Sequence, residues 1–332
     1  MSALRVGVIG LGYFGERHAR IYSALPNADL IAVCDRDAQR AAAVSQRVGA
    51  SALTDHKSLL ACDDIDAISI CLPDRLHTSV AVDAAEAGKA ILLEKPLAHD
   101  LAHARQIAAA VEATGVRMMV GHILRFDPRY VQVYEAADPS LLGKPLHIRA
   151  KRNGIRATAR RLGDAASILH YMGVHDVDAM QWVARSRILR VYAQKIEMLG
   201  NGNEDALYAV VNFENGAIGL IDYSWAWPDG LMNGYRAALE IVGTKSAAYL
   251  DCTDQGFYRV DEDRTTGGDT HLWPEINGRI VGDLADELAH FVDAVLGGKP
   301  FVQDWHEAFD AIPVLDALAS SAATGRPVTV ER

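Results

Sequence analysis

The segment GLGYFG at residues 10–15 has a glycine spacing that suits the binding of a dinucleotide phosphate. Gly10 permits a tight turn, Gly12 lets the backbone approach a pyrophosphate, and Gly15 allows a helix to pack closely on the preceding strand. The diphosphate would lie at the helix N-terminus, where unpaired N–H groups point toward it. Asp35 ends the next predicted strand, about twenty residues later, where its carboxylate can accept both hydroxyls of the adenosine ribose. A glycine-rich turn without a ligand is the alternative, and the position of Asp35 argues against it.

The type of nucleotide depends on Asp35 and Arg36. A carboxylate at residue 35 would repel a 2′-phosphate, and this favours NAD. Arg36 could pair with that phosphate, or it could lie in solvent on the first turn of the next helix. NAD is therefore the expected cofactor, and use of NADP stays open.

A charged pair, Glu94 and Lys95, ends another predicted strand and precedes Pro96. In an open α/β sheet, ligands bind beyond the carboxyl ends of the strands. A lysine in that place can hydrogen-bond a substrate oxygen, and partial desolvation would lower its pKa toward a range useful for acid–base chemistry. Taken alone, a Glu-Lys pair is also typical of a surface ion pair. Pro96 would fix the direction of the departing chain, with a cis bond as one option.

The elements that must position these residues alternate between short β-branched runs and helical patterns over residues 1–121. The predicted strands are Leu4–Ile9, Leu30–Cys34, Ala67–Leu72, Ala90–Leu93 and Arg117–Val120. Strands separated by helix-length spacers indicate a doubly wound parallel sheet, because parallel neighbours need a crossover connection. The fold class is therefore α/β, with a first domain over residues 1–121.

The pattern changes after residue 122. A helical pattern over residues 168–183 precedes strands with short connections at 206–213, 217–223, 236–242 and 247–250. Asn215-Gly216 predicts a hairpin, and the later strands are expected to continue an antiparallel meander. Two helices close the chain, and they could pack back toward the first domain. The second predicted domain, 122–332, is thus α+β with an open, largely antiparallel sheet.

Composition excludes several classes of protein. The 332 residues contain 33 Lys plus Arg against 43 Asp plus Glu, and the net charge of −10 argues against a nucleic-acid or anionic-membrane binder. No apolar run reaches the ~18–20 residues of a membrane span, and the first residues lack a signal-peptide pattern. A disulfide framework or zinc site is not expected from the isolated cysteines Cys34, Cys62, Cys71 and Cys252. A cytoplasmic protein without a metal is expected.

Five segments stand in order along the chain: GLGYFG at 10–15, Asp35, PDRLH at 73–77, EKP at 94–96 and GVHDVD at 173–178. Together they resemble the Gfo/Idh/MocA oxidoreductase family, and the resemblance extends to TGRPV at 324–328. It implies an N-terminal Rossmann domain and a C-terminal domain whose open sheet often mediates oligomers, here a homodimer or homotetramer. Members commonly oxidise or reduce one carbinol of a sugar, cyclic polyol or sugar derivative.

The resemblance assigns the chemistry to Lys95 and His175. Lys95 would polarise the reacting hydroxyl, and His175 would be the general base that removes its proton as hydride leaves for nicotinamide. An imidazole suits this role because its unperturbed pKa of about 6.5 lies near working pH. A structural core histidine is the alternative, and the matching Asp178 favours catalysis. The residues implied to contact the cofactor are Gly10, Gly12, Tyr13, Phe14, Gly15, Asp35, Arg36, Pro73, His77, Glu94 and Lys95.

The sequence departs from the family at Tyr171. Several polyol dehydrogenases have an Asp four residues before the catalytic His, where it touches a neighbouring hydroxyl. On a helix, Tyr171 and His175 lie one turn apart on one face, so the phenol could still reach the substrate. It brings one hydrogen bond and no negative charge, or it simply packs in the pocket wall. An inositol-like substrate is therefore in doubt.

Other residues bear on the substrate. Lys151, Arg152, Arg156, Arg160 and Arg161 suggest a basic entry loop that could bind a carboxylate, a phosphate or a sugar nucleotide. A solvated loop that answers nearby acids is the alternative. At the expected domain crossing, candidates for substrate contact are His122 and Arg125.

Three functions remain after this comparison. The first is an NAD-dependent dehydrogenase for a secondary alcohol of a sugar-like substrate, and the second is an oxidoreductase for a sugar nucleotide or sugar acid. The third is a non-catalytic dinucleotide-binding regulator, which the retention of Lys95 and His175 argues against. A tightly held cofactor that is recycled between two sugars also stays open.

Overall fold

The computed structural model describes residues 3–163, 167–200, 204–262 and 265–331. The chain forms two compact units. The first comprises the residues up to Ile123 together with Leu272–Phe309, and the second comprises Leu124–His271 together with the residues from Asp310 onward. The first unit thus takes in a segment that lies well beyond residue 122 in the sequence.

The described strands are β1 (Leu4–Ile9), β2 (Ala28–Cys34), β3 (Ser51–Leu53), β4 (Ala67–Ile70), β5 (Ala90–Glu94), β6 (Met118–Gly121), β7 (Pro145–Ile155), β8 (Ile188–Ile196), β9 (Ala206–Phe213), β10 (Ile218–Trp227), β11 (Tyr235–Gly243), β12 (Ala247–Asp251), β13 (Tyr258–Val260), β14 (Thr265–Gly267), β15 (Glu275–Ile276), β16 (Arg279–Ile280) and β17 (Val328–Thr329). The described α-helices are α1 (Tyr13–Tyr22), α2 (Ala38–Val48), α3 (His56–Leu60), α4 (His77–Glu86), α5 (Leu101–Thr114), α6 (Pro128–Ala136), α7 (Pro139–Leu142), α8 (Arg156–Leu162), α9 (Val174–Ala184), α10 (Asp283–Gly297) and α11 (Trp305–Thr324). Within these ranges no helix has both the length and the apolarity to cross a bilayer.

The first unit contains a parallel sheet in the order β3-β2-β1-β4-β5-β6. Its central strands are buried on both faces, as Val6, Val8, Ile68 and Leu92 show, which is characteristic of a sheet covered by helices on both sides. The predicted doubly wound α/β fold is confirmed. Because β1, β4 and β5 are neighbours, the glycine turn, the segment after β4 and Lys95 all leave the same edge of the sheet.

The second unit contains a mixed sheet in the order β12-β11-β7-β10-β9-β8-β17. Its strand pairs are antiparallel except for β7 with β10. The predicted hairpin is confirmed, since β9 and β10 pair antiparallel around Asn215 and Gly216, whose φ of +88° favours glycine. An open, largely antiparallel sheet in this part of the chain is therefore also confirmed.

Two details of the sequence prediction are wrong. The basic segment 151–161 is not a loop, because Lys151 and Arg152 lie in β7 and Arg156, Arg160 and Arg161 lie on α8. The later strands do not continue a simple meander, since β7 lies between β10 and β11. Both errors have the same cause. The strand β7 pairs with β10 and β11, which follow it by more than 60 residues, and the local run of basic residues does not indicate that pairing.

Candidate active site

The turn from β1 to α1 contains three glycines, each needed for a different reason. Gly10 has a φ of +86°, and its N–H donates to the Cys34 carbonyl oxygen at 2.8 Å. A Cβ on Gly15 would lie 1.7 Å from the Gly10 carbonyl oxygen, so only glycine lets α1 begin this close to the turn. A Cβ on Gly12 would meet no described atom within 4 Å. That open side is what the approach of a pyrophosphate requires.

Asp35 lies directly beside this turn and is 7 % exposed. Its Oδ2 accepts hydrogen bonds from the Leu11 N–H at 2.9 Å and from Arg40 Nη1 at 3.1 Å, and its Oδ1 accepts from the Asp37 N–H at 2.9 Å. Burial alone would raise the pKa of Asp35, but these donors lower it below its usual value. The carboxylate is therefore ionised, with lone pairs left for ribose hydroxyls. Arg36 is exposed, and it is Arg40, which the sequence interpretation missed, that pairs with Asp35.

Lys95 leaves the carboxyl end of β5 and is half-buried. The peptide bond from Lys95 to Pro96 is cis. The neighbouring chain is held by His77, which is fully buried, with Nδ1 2.8 Å from the Pro96 carbonyl oxygen and Nε2 2.8 Å from the Leu72 carbonyl oxygen. Burial lowers the pKa of His77, although both carbonyl oxygens favour the charged ring. His77 thus ties the segment after β4 to the residue after Lys95, while Pro73 between them is exposed.

Glu94, the residue before Lys95, is turned into the unit and is 9 % exposed. Its Oε1 lies 3.1 Å from His18 Nε2, and His18 Nδ1 lies 2.7 Å from Ser69 Oγ. Burial alone would raise the pKa of Glu94, but the His18 hydrogen bond and the charges of His18 and Lys95 lower it below its usual value. The resemblance implies that Glu94 contacts the cofactor, and its hydrogen bond with His18 also anchors the strand end that carries Lys95.

An aromatic cluster stands beside the glycine turn. Phe14 and Trp273 meet edge to face with centroids 5.3 Å apart, and Tyr13 lies 6.2 Å from the same indole. Tyr13 is 58 % exposed, and the Arg17 guanidinium lies 3.6 Å above its ring. The two residues expected at the cofactor thus share their site with Trp273, which sequence reasoning missed because no local spacing connects it with residues 13 and 14.

In the second unit, His175 lies on the first turn of α9 and is partly exposed. The turn before it, Leu169–Gly173, is π-helical, so the regular α-helix predicted over residues 168–183 is wrong at its start. A Cβ on Gly173 would lie 2.9 Å from Tyr223 Cε2, and the Tyr223 hydroxyl donates to the Gly173 carbonyl oxygen at 3.2 Å. Tight packing at Gly173 therefore accompanies this wider turn, a geometry that is frequent at functional sites.

Two buried ion pairs fix the helix that carries His175. Arg152 donates from Nε and Nη2 to the two oxygens of Asp176, both at 2.9 Å, and also to the Tyr130 hydroxyl at 3.0 Å. Arg125 donates to Asp178 in the same forked manner, at 3.1 and 2.7 Å. Burial alone would lower the pKa of Arg152, but the charge of Asp176 raises it well above its usual value. The residues on either side of His175 are thus held through rigid, charge-assisted forks.

These contacts bear directly on the residues expected to bind substrate. The guanidinium groups of Arg152 and Arg125 face Asp176 and Asp178, and the two arginine side chains are 12 % and 3 % exposed. Tyr171 remains partly exposed, and its hydroxyl accepts a hydrogen bond from Arg161 Nη2 at 3.2 Å. His122 belongs to the first unit and is buried directly after β6. Of the four, Tyr171 has the environment that best suits a substrate contact.

Most of the basic side chains of residues 151–161 have hydrogen-bond or ion-pair partners within the second unit. Arg156 donates to the Ala226 carbonyl oxygen at 2.9 Å, and Arg160 pairs with Asp229. Together with the Arg152–Asp176 pair, these contacts neutralise or occupy most of the positive groups that suggested an anionic substrate.

Comparison with known proteins places the chain among dehydrogenases. It is 27% identical to the scyllo-inositol 2-dehydrogenase (NAD(+)) of Bacillus subtilis, over 99% of this chain and 96% of that protein. A solved structure of a putative myo-inositol dehydrogenase from Sinorhizobium meliloti 1021 is 25% identical, with a TM-score of 0.86 and coverage of 99% and 100%. GenD2 from gentamicin A biosynthesis, solved in complex with NAD, is 28% identical, with a TM-score of 0.85 and coverage of 100% and 97%.

Two family models match the chain in succession. Residues 4–122 match the oxidoreductase family with an NAD-binding Rossmann fold, and residues 130–249 match the GFO/IDH/MocA C-terminal domain. The expected Rossmann domain and the expected cofactor, NAD, are both confirmed. The chain belongs to the Gfo/Idh/MocA family of oxidoreductases, enzymes that use NAD and act on CH–OH groups.

Proposed function

We propose that the protein is an NAD-dependent dehydrogenase that oxidises a secondary alcohol of a cyclic polyol or a related sugar derivative. The observation that carries this proposal is the half-buried Lys95 at the carboxyl end of β5, in the same unit and at the same sheet edge as the open glycine turn. A regulator that only senses a dinucleotide would have no need of a lysine anchored in this way. The anchoring contacts are those of Glu94 with His18 and of His77 with Pro96.

The residues of the first unit fit a bound NAD. The backbone at Gly12 is open to a pyrophosphate, and the ionised Asp35 can accept ribose hydroxyls. When bound, the nicotinamide supplies the hydride acceptor. The negative charge of Asp35 disfavours a 2′-phosphate, and Arg40 engages the same carboxylate, so we propose NAD rather than NADP as the preferred form.

Lys95 and His175 have different roles at the reacting hydroxyl. Lys95 donates a hydrogen bond to the reacting hydroxyl oxygen and stabilises negative charge as it develops there. His175 accepts the hydroxyl proton as general base, a task that an imidazole performs near neutral pH. The forks from Arg152 to Asp176 and from Arg125 to Asp178 keep the backbone around His175 rigid. We therefore assign Arg152 and Arg125 a positioning role rather than a substrate contact.

The second unit favours a neutral polyol over an acidic or nucleotide-linked substrate. Two of the three relatives named above have names of inositol dehydrogenases, and the positive groups of Arg152 and Arg160 are paired with Asp176 and Asp229. Tyr171 stands where several polyol dehydrogenases have an Asp, and its hydroxyl already accepts from Arg161. We propose that the Tyr171 hydroxyl and Arg161 together bind the hydroxyl next to the reacting carbon.

We also propose that a second copy of the chain covers the outer face of the mixed sheet. Large apolar side chains on three adjacent strands are between 37 % and 51 % exposed, namely Tyr192, Tyr208, Val210, Ile218 and Leu220. A contiguous patch of this kind is unusual for a monomer. Light scattering after size-exclusion chromatography tests the proposal, since a mass of one chain at micromolar concentration would contradict it.

The activity is tested by nicotinamide absorbance with inositols, free sugars, sugar acids and sugar nucleotides, with NAD and NADP supplied separately. Lys95→Ala and His175→Ala should each lower kcat about 10²- to 10⁴-fold. The matched controls Lys57→Ala and His306→Ala change side chains that are 71 % and 65 % exposed and should retain the parent rate. Turnover in Lys95→Ala equal to that of the parent would remove Lys95 from the chemistry. NAD binding without turnover on any member of the panel would favour a regulator.

A further inference from the structure

A carboxyl group outside all the motifs lies in the core of the first unit. Glu287, on α10, is 0 % exposed, and neither of its oxygens has a hydrogen-bond partner within the described part of the chain. An ionised carboxylate in such a place would lose its hydration without gaining a hydrogen-bond donor, which is strongly unfavourable. The environment therefore suits only the neutral acid.

The charged group with the largest effect on Glu287 is the carboxylate of Glu94. A Cβ on Gly121 would lie 2.9 Å from Glu287 Oε1 and 3.4 Å from Glu94 Oε1. Both carboxyl groups therefore lie beside Gly121, whose missing side chain leaves room for them. Two buried carboxylates that share one site cannot both ionise at neutral pH without a large penalty.

The donors around the pair decide which member is charged. Glu94 is hydrogen-bonded to His18 and neighbours Lys95, whereas the charges that act on Glu287 are those of Glu94 and Asp283, which are both negative. The other titratable groups that face Glu287 are Asp283 on its own helix, Tyr22 on α1 and Cys71 after β4. Burial raises the pKa of Glu287 well above its usual value, and the charges of Glu94 and Asp283 raise it further.

We propose that Glu287 carries a proton at neutral pH and forms a buried acid pair of single negative charge with Glu94, and that Glu287 thereby acts as a positioning residue for Lys95. The part of this proposal that concerns Lys95 rests on the proposed function. With Glu287 neutral, the single charge on Glu94 is balanced by Lys95 and bonded to His18. With Glu287 ionised, a second negative charge would repel Glu94 and disturb the strand end from which Lys95 projects.

Infrared absorption in D₂O at pH 7 tests the protonation state without any assay of activity. Protonated carboxyl groups have a carbonyl band separate from that of carboxylates, so the parent minus Glu287→Gln should contain one such band. The matched control is Glu112→Gln on α5, because Glu112 is an exposed residue of the same type. Its difference spectrum should contain no protonated-acid band. A Glu287→Gln difference spectrum without that band would overturn the proposal.

The pH dependence of unfolding gives a second readout. The folded state holds the proton above the pKa of about 4.3 at which the unfolded chain releases it. The stability of the parent relative to Glu287→Gln should therefore be greatest below about pH 4 and fall as pH rises toward the raised pKa. The ratio of the two unfolding equilibrium constants should change by up to tenfold per pH unit in that window. Parallel pH profiles would contradict the proposal.

The link to Lys95 is tested by the pH profile of kcat/KM. Relative to the parent, Glu287→Gln should gain at high pH, because it cannot acquire the second charge, while Glu112→Gln should follow the parent. A constant ratio across pH 6–10 would refute the positioning role. If Lys95 proves to have no part in turnover, the infrared and unfolding results still decide the protonation state. Glu287→Met is the second variant, since a site that holds no charge should accept it, and failure of both variants to fold would also overturn the proposal.

Discussion

The glycine turn allows one substitution to report on the cofactor and another to report on the fold. In Gly12→Ala the new Cβ meets no atom of the described ranges within 4 Å. The backbone there has φ −69° and ψ −158°, which an alanine adopts without strain. Because Gly12 is the N-cap of α1, where alanine is less favourable than glycine, the free energy of unfolding should fall by no more than about 1 kcal/mol. Because the methyl group projects where the pyrophosphate approaches, NAD affinity should fall about 10- to 100-fold, or about 1.4–2.8 kcal/mol.

Gly15→Ala is the matched contrast. Its Cβ would lie 1.7 Å from the Gly10 carbonyl oxygen, and real Cβ contacts are not found below 3.0 Å. The start of α1 must therefore move by more than about 1 Å. Overpacking of this kind costs about 1–3 kcal/mol or more, against a gain of less than about 1 kcal/mol from replacing a helical glycine. Gly15→Ala should thus lose stability as well as NAD affinity.

Denaturant titration measures the stability of each variant, and isothermal titration calorimetry measures NAD binding. If the glycine turn binds the pyrophosphate, Gly12→Ala should lower NAD affinity with little change in stability. Gly15→Ala should lower both NAD affinity and stability. If Gly12→Ala bound NAD within twofold of the parent, the pyrophosphate would not approach the backbone at this residue. If Gly15→Ala unfolded at the same denaturant concentration as the parent, the packing of α1 against the turn would not limit the residue type.

Two other regions give clear expectations. Asp35→Ala should weaken NAD binding and reduce the preference for NAD over NADP, because the ribose acceptor and the repelling charge are removed together; an unchanged ratio of dissociation constants would count against that role. Since the pKa of Asp35 is lowered in the folded state, the parent should hold a stability advantage over Asp35→Asn above about pH 4 and lose it as pH falls through the lowered value. Arg125→Met leaves the buried Asp178 carboxylate without its fork and should lower the free energy of unfolding by about 3–5 kcal/mol in denaturant titration. Adding Asp178→Leu should recover most of that loss, and equal stability of the single and double variants would argue against the pair.

Elements defined by local chemistry could be predicted from the sequence. The strand Leu4–Ile9 and the hairpin at Asn215-Gly216 follow from apolar runs and turn residues that are close together in the chain. The glycine turn and the position of Asp35 beside it could also be predicted, because the spacing of the motif is sufficient to indicate both. In these segments the local preference and the final structure agree.

Residues whose roles depend on distant partners could not be predicted. Arg152 was a candidate substrate contact because it lies in a run of basic residues, and its pairing with Asp176 becomes visible only when β7 packs beside α9. The π-helical turn at Leu169–Gly173 likewise packs against Tyr223, fifty residues later. Both contacts join residues that are far apart in the chain, and the local sequence pattern does not indicate them.

Glu287 differs from both groups of residues, because the local sequence pattern indicates that its side chain is buried but does not indicate its partner. The buried stripe of α10 contains Leu284, Leu288 and Phe291, and Glu287 lies on the same stripe, three residues after Leu284. A carboxyl group on the buried face of an amphipathic helix is uncommon unless it is paired or neutral. The same periodicity that predicts the helix therefore also identifies Glu287 as a residue that needs a special explanation.

The first unit is built from two separate segments of the chain, and this affects how it folds during synthesis. Residues 272–309 belong to this unit, and α10 contributes the fully buried Leu288 and Phe291 to its core. During synthesis, the ribosome completes the strands of the NAD-binding sheet long before it produces α10. While the strands of the mixed sheet up to β12 are translated, the nascent dinucleotide-binding unit therefore lacks α10, and the part of its core that packs against this helix is uncovered. Until α10 is made, the apolar surface that Leu288 and Phe291 cover stays exposed, and chaperones can recognise it.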